Sequence, residues 1–105
     1  MVKSIVNRIN TIFTQEEIDR ITFGASGDGT IDITVDAHGM TCSMLRRYLN
    51  NLICVVHTRF RLVVIHGYKH GTALKEMLAE MYHNQHVTDR FVHPDNPGRT
   101  CMVIM

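Results

Sequence analysis

The strongest constraint on the fold is a change of hydrophobic period that occurs twice along the chain. Ile31, Ile33 and Val35 alternate with Asp32, Thr34 and Asp36, the two-residue period of a strand with one covered face. Thr41 then offers an N-cap, after which Met44, Leu45, Tyr48, Leu49, Leu52, Ile53 and Val56 form an apolar stripe at helical spacing, with Arg46, Arg47, Asn50 and Asn51 opposite. That stripe predicts a helix of about four turns. Leu62 to Ile65 is a continuous, β-branched-rich run of the kind a central strand needs, and Ala73, Leu74, Met77, Leu78, Met81 and Tyr82 repeat the helical stripe. A β-α-β unit requires parallel strands and a right-handed crossover, so the residues following the two strands fall at one edge of the sheet.

The flanks complete the expectation. Val2, Ile5, Ile9 and Ile12 recur at helical spacing, and Thr14-Gln15-Glu16-Glu17 matches a capping box that starts a short helix carrying Ile18 and Ile21. Gly24 to Gly29 reads as a loop. Residues 1–29 are thus read as a helical N-terminal extension that packs on the core, and residues 30–105 as the domain proper. In the tail, His86 to His93 and Arg99 to Ile104 flank Pro94-Asp95-Asn96-Pro97-Gly98, the signature of a hairpin. The expected fold is α/β, a two-layer βαβαββ sandwich with a four-stranded mixed sheet and two helices on one face.

Composition narrows the function classes. At 105 residues and 45% hydrophobic, the chain suits one compact core. A formal net charge of +1 gives no global attraction to polyanions, so nucleic-acid binding has to come from local clustering, although seven histidines add positive charge below about pH 6.5. The three cysteines, Cys42, Cys54 and Cys101, are widely spaced and suggest neither a disulfide framework nor a cysteine zinc site. The apolar runs are far shorter than the roughly 20 residues that span a bilayer, and the amino terminus lacks a signal peptide's apolar core. A reducing cytoplasm fits these features.

The residues with chemical potential cluster after the two strands. Asp36 and His38 are two apart, so on an extended strand they project to one side, where a carboxylate orients an imidazole for general acid/base work. Gly39 allows the chain to turn sharply beside them. In His66-Gly67-Tyr68-Lys69-His70-Gly71, the glycines permit unusual backbone conformations, Lys69 adds a point charge and Tyr68 a stacking surface. Each pattern also has a plain structural explanation, as polar residues ending a strand and as a glycine-assisted turn. Asp36, His38, His66 and His70 supply enough N and O ligands for a metal, but His66 and His70 are four apart in a loop and the spacing favours none; no cofactor is indicated. Of the basic residues, Lys69, Arg46, Lys75 and Arg99 are the candidates, whereas Arg59 and Arg61 precede the second strand and belong at the opposite edge. Met77, Met81, Tyr48 and Tyr82 are read as core.

Three motifs then combine. Asp36-Ala37-His38-Gly39-Met40-Thr41 resembles the D-L-H-G-L-T opening of small MutS-related (Smr) domains, Val64-Ile65-His66-Gly67 followed by Gly71 resembles their I-I-H-G-x-G-x-G loop, and Gly98-Arg99-Thr100-Cys101-Met102-Val103 is similar to their closing G-x-T-x-V strand. The resemblance spans roughly residues 30 to 105. It implies a βαβαββ sandwich like the carboxyl-terminal domain of translation initiation factor three, and a role on DNA or RNA as an endonuclease or in ribosome-linked RNA processing. By motif match, Asp36 and His38 carry over as the catalytic or nucleic-acid-contacting pair, and His66, Gly67 and Gly71 as the second loop; together with residue type and position this makes Asp36, His38 and His66 the candidate catalytic group and Gly39, Gly67, Tyr68, Lys69, His70, Gly71, Arg46 and Lys75 the candidate nucleic-acid contacts. The chain departs from the family where Lys69 replaces the middle glycine, Ala37 the usual leucine, and Cys42 and Ser43 the frequent glutamates. Two functions remain open: an endonuclease with RNA favoured over DNA, and a non-catalytic module that binds RNA or a ribosomal site through the same crevice.

Overall fold

The computed structural model describes residues 2–25, 27–67 and 72–105, with the backbone alone at Val2 and Lys3. The chain runs α1 (Val2–Ile12), α2 (Gln15–Ile18), β1 (Ile21–Ala25), β2 (Ile31–Asp36), α3 (Cys42–Val56), β3 (Phe60–Ile65), α4 (Ala73–Glu76), β4 (Val87–Val92) and β5 (Arg99–Ile104). A π-helical turn, Met77–Met81, continues α4. The fold is α/β with an open mixed sheet, but the sheet has five strands, in the order β1-β2-β3-β5-β4, where the pattern predicts four. β2 and β3 pair in parallel from Ile31↔Phe60 to Asp36↔Ile65, and β5 runs antiparallel to both β3 and β4.

The extra strand comes from the segment expected to be helical. The capping box forms as written, Thr14 accepting from the Glu17 N–H and Glu17 from the Thr14 N–H, yet α2 is only four residues long. Ile21 is in β1, antiparallel to β2, with Ile21↔Val35 and Phe23↔Ile33 in register. Ile21, Thr22 and Phe23 favour an extended, half-covered surface, and a turn through residues 27–29, with Gly29 at φ +84°, returns the chain into β2.

One core lies between the helices and one face of the sheet. Ile33, Val35, Phe60, Leu62 and Val64 of the strands meet Leu45, Leu49 and Leu52 of α3, and Ile5, Ile9 and Phe13 of the N-terminal segment join the same cluster. The Phe13 and Tyr48 rings stand 5.2 Å apart, the Tyr48 hydroxyl donates to the Glu17 carbonyl at 2.6 Å, and Arg8 donates to the Val55 carbonyl at 3.1 Å near the end of α3. The other face of the sheet carries Asp32, Thr34 and Asp36 on β2, and Arg61, Val63 and Ile65 on β3. Arg61 therefore lies within β3, not before it, and pairs with Asp32 at 2.9 Å. Among the described residues no helix is long and apolar enough to cross a membrane.

Four residues of the helical stripes depart from the expected core, Ile12, Met44, Ala73 and Met81. Met81 is 55% exposed while Tyr82 is fully buried. The π turn explains this: the Tyr82 N–H bonds to the Met77 carbonyl five residues back, so Tyr82, not Met81, stacks beneath Met77. Met44, at the margin of the α3 stripe, is 52% exposed.

Two outcomes follow from this packing. Ile9→Ala is expected to cost about 2–5 kcal/mol in urea unfolding, as a core truncation does, whereas a loosely attached extension would cost nothing. Burial pushes the Tyr82 phenol up to about 12, and raises that of Tyr48 as well. The folded state thus holds these protons more tightly than the unfolded chain, whose tyrosines titrate near pH 10. Their contribution to stability is complete below about pH 10 and is lost above it, with a slope of about 1.4 kcal/mol per pH unit per tyrosine. Urea unfolding between about pH 9 and pH 11 measures that slope, and Tyr82→Phe is expected to reduce it.

Candidate functional site

The β2–β3 ladder brings the two His-Gly turns side by side. Asp36 pairs with Ile65, and one step further the Ala37 N–H donates to the Ile65 carbonyl at 2.9 Å. Ala37 is fully buried, and the chain then reverses through His38 and Gly39, the Met40 N–H closing onto the Ala37 carbonyl at 3.0 Å. Thr41 caps α3 by accepting the Met44 N–H, so the helix starts directly from this turn. On the neighbouring strand, the His66 and Gly67 N–H groups both donate to the Gly98 carbonyl, at 2.9 and 3.0 Å. Gly39 and Gly67 have φ of +80° and +76°. An added Cβ meets nothing within 4 Å at either position, so the requirement for glycine is one of backbone conformation, about 1–2 kcal/mol each, and not of space.

The side chains diverge although the turns converge. Asp36 is exposed on the open face of the sheet, and its Oδ1 accepts the His38 backbone N–H at 3.0 Å. The expected pairing of the Asp36 carboxylate with the His38 ring does not form, because the chain turns at Ala37 instead of continuing extended, and the carboxylate serves the turn. His66 is drawn to the other face. Its Nδ1 lies 2.8 Å from the Gly67 carbonyl and its Nε2 2.7 Å from the Thr100 hydroxyl, and Thr100 is buried on the core side of β5 with Met102 and Ile104. A carbonyl oxygen only accepts, so Nδ1 carries the proton; in the neutral ring Nε2 then takes the Thr100 O–H. Both His66 nitrogens are occupied. The His38 ring, exposed in its turn, makes no hydrogen bond among the described residues.

The remaining expected residues are spread around this edge. Arg46 is exposed on α3 and Lys75 lies in α4, neither held by a hydrogen bond or ion pair among the described residues. Tyr68, Lys69, His70 and Gly71 lie outside the described residues. Among those described, no three His, Cys, Asp or Glu side chains gather as a metal would require. Arg99 is next to Ile65 across the ladder, and its Nε is buried without a hydrogen-bond partner, a state that normally implies an acceptor supplied from elsewhere.

Sequence reasoning missed Arg20. Its Nη1 donates to the Asp36 and His38 carbonyls, both at 2.8 Å, and its own carbonyl accepts the Asp36 N–H at 2.9 Å. Arg20 therefore closes the Asp36–Gly39 turn from outside. The available signal was the alternation of Ile21, Thr22 and Phe23 directly before a glycine turn: read as a hairpin with β2, it places Arg20 opposite Asp36. Comparison with family models, with curated proteins and with solved structures gave no match for this chain.

The Thr100 hydroxyl can be tested alone. Thr100→Val keeps the side-chain shape and is expected to cost about 1–3 kcal/mol in urea unfolding by leaving His66 Nε2 without its donor. The ¹⁵N shifts of the His66 ring should then report a mixture of tautomers, and Thr100→Ser should restore the wild-type shifts.

Proposed function

We propose that this chain is an Smr-like domain acting on nucleic acid, with RNA favoured over DNA, and that it cleaves the strand with His38 as the proton-transfer group. The observation that supports this most is the fixed juxtaposition of the two His-Gly turns through the Ala37 N–H to Ile65 carbonyl bond, with His38 the imidazole at that junction free of hydrogen bonds among the described residues. In RNA the nucleophile is already in the substrate. His38 takes the proton of a 2′-hydroxyl, the oxygen attacks the adjacent phosphorus, the P–O5′ bond breaks, and the leaving oxygen takes a proton from water while the His38 imidazolium returns its own to the solvent, giving a 2′,3′-cyclic phosphate and a 5′-hydroxyl. Asp36 acts in this reading by holding the backbone of the His38 turn, and His66 by locking the second turn to β5. Arg99 provides a cation whose Nε lacks a partner.

A second reading, a module that binds RNA or a ribosomal site without turnover, is favoured by one specific observation. The Asp36 carboxylate and both His66 ring nitrogens are engaged in internal hydrogen bonds, leaving one catalytic imidazole of the three residues expected.

A single-stranded oligoribonucleotide distinguishes the two. His38→Ala is expected to lower cleavage by about 10²-fold or more with affinity little changed, and a 2′-deoxy substitution at the scissile position to abolish cleavage by the wild type. Binding without cleavage by the wild type selects the second reading, and equal cleavage by wild type and His38→Ala removes the role given to His38.

A further inference from the structure

We propose that Arg20 is a phosphate anchor of this site, receiving a phosphodiester of the bound strand on the free Nε–Nη2 edge of its guanidinium. The identity of the ligand rests on the nucleic-acid reading above; the geometry does not. Nη1 carries two hydrogens, and it makes two bonds, to the Asp36 and His38 carbonyls at 2.8 Å each. Those bonds fix the guanidinium against the main chain of the turn. The three N–H groups on Nε and Nη2 have no hydrogen-bond acceptor among the described residues, although a guanidinium is built to offer that edge as a planar fork.

Its charge is also unpaired by contact. Within the 4.0 Å limit of an ion pair, the single pair among the described residues is Arg61–Asp32, on another part of the sheet. The acidic side chains around it have other partners or are exposed: the Asp36 carboxylate accepts the His38 N–H, Asp19 accepts from the Gln15 amide, Glu17 is engaged by the Thr14 N–H, and Glu16 is exposed. Arg20 is half-buried and borders a groove of about 280 Å³ between α2 and α3, whose lining includes Arg47, Asn51 and Met40 and also Glu16 and Glu17. An arginine clamped at one nitrogen, with a free bidentate edge and no carboxylate in contact, is preorganised for an oxyanion beside His38. A purely structural clamp would need only the Nη1 contacts.

Two measurements test the anchor. In fluorescence anisotropy with a labelled oligoribonucleotide of about ten nucleotides, Arg20→Met is expected to weaken binding about five- to tenfold and to lower the salt slope by about 0.7, the loss of one phosphate contact on a single strand. Arg20→Lys, keeping a charge but not the fork, should fall between. Unchanged affinity and slope in a folded Arg20→Met protein overturn the inference and leave the nucleic-acid reading intact. The second measurement uses the wild type and so does not depend on any variant folding: the Arg20 Nε–H NMR signal is followed while inorganic phosphate is added. A saturable shift supports the anchor, even where the oligoribonucleotide does not bind and the nucleic-acid reading falls. No response of that signal to either phosphate or oligoribonucleotide overturns it.

Discussion

The parallel ladder between β2 and β3 is the constraint on which the rest of the structure depends. Ile33, Val35, Leu62 and Val64 are completely buried along it, each worth about 1.5–3 kcal/mol of apolar burial. Strand side chains alternate, so a slip of one residue by either strand would turn its two buried residues to the open face and carry Asp36 away from Ile65. The same register sets where β2 and β3 end, and therefore where the chain must turn. Gly39 and Gly67 then do at adjacent positions what few other residues do without strain, and the Gly98 carbonyl accepts both N–H groups of the second turn.

This ladder was the most legible part of the chain, because burial leaves a periodic trace. Alternation in β2, the continuous run in β3, the Thr41 cap and the α3 stripe all followed from residue spacing, and each has its counterpart in the fold. What escaped was decided by competition between local and tertiary terms. Ile18 and Ile21 fit a helix locally, but antiparallel pairing with the exposed edge of β2 makes Ile21 a strand residue. Met81 fits the α4 stripe, yet one π turn shifts the burial to Tyr82. At the site, composition and order of the motifs were visible while hydrogen-bond direction was not. No spacing rule tells whether the Asp36 carboxylate meets an imidazole or a backbone N–H.

That distinction changes how the polar residues divide their work. Asp36, His66 and Thr100 are polar groups whose partners lie within the protein, and they determine the shapes of two turns and the joint between β3 and β5. His38, Arg20 and Arg99 differ: each has donors or acceptors with no partner among the described residues. An arrangement of this kind combines a fixed scaffold with polar groups that lack a partner, exposed at His38 and buried at Arg99 Nε. Rigidity lowers the reorganisation needed on binding, and unsatisfied, charged donors give a ligand something to supply.

The N-terminal segment belongs to this scaffold on physical grounds, although the resemblance begins only near residue 30. Its apolar residues Ile5, Ile9 and Phe13 share the core, the Tyr48 hydroxyl ties α2 to α3 through the Glu17 carbonyl, and two residues beyond α2 Arg20 grips the His38 turn. Each bond has little value alone, about 0.5–1.5 kcal/mol in net terms. Linked in series they connect the packing of α1 against α3 to the conformation of a four-residue turn. Without β1, the β2 edge would expose its ladder groups, and the Asp36 and His38 carbonyls would lose the cation that holds them. The scaffold that holds the His38 turn therefore extends at least to where the hydrogen bonds onto its carbonyls originate, and that point is Arg20.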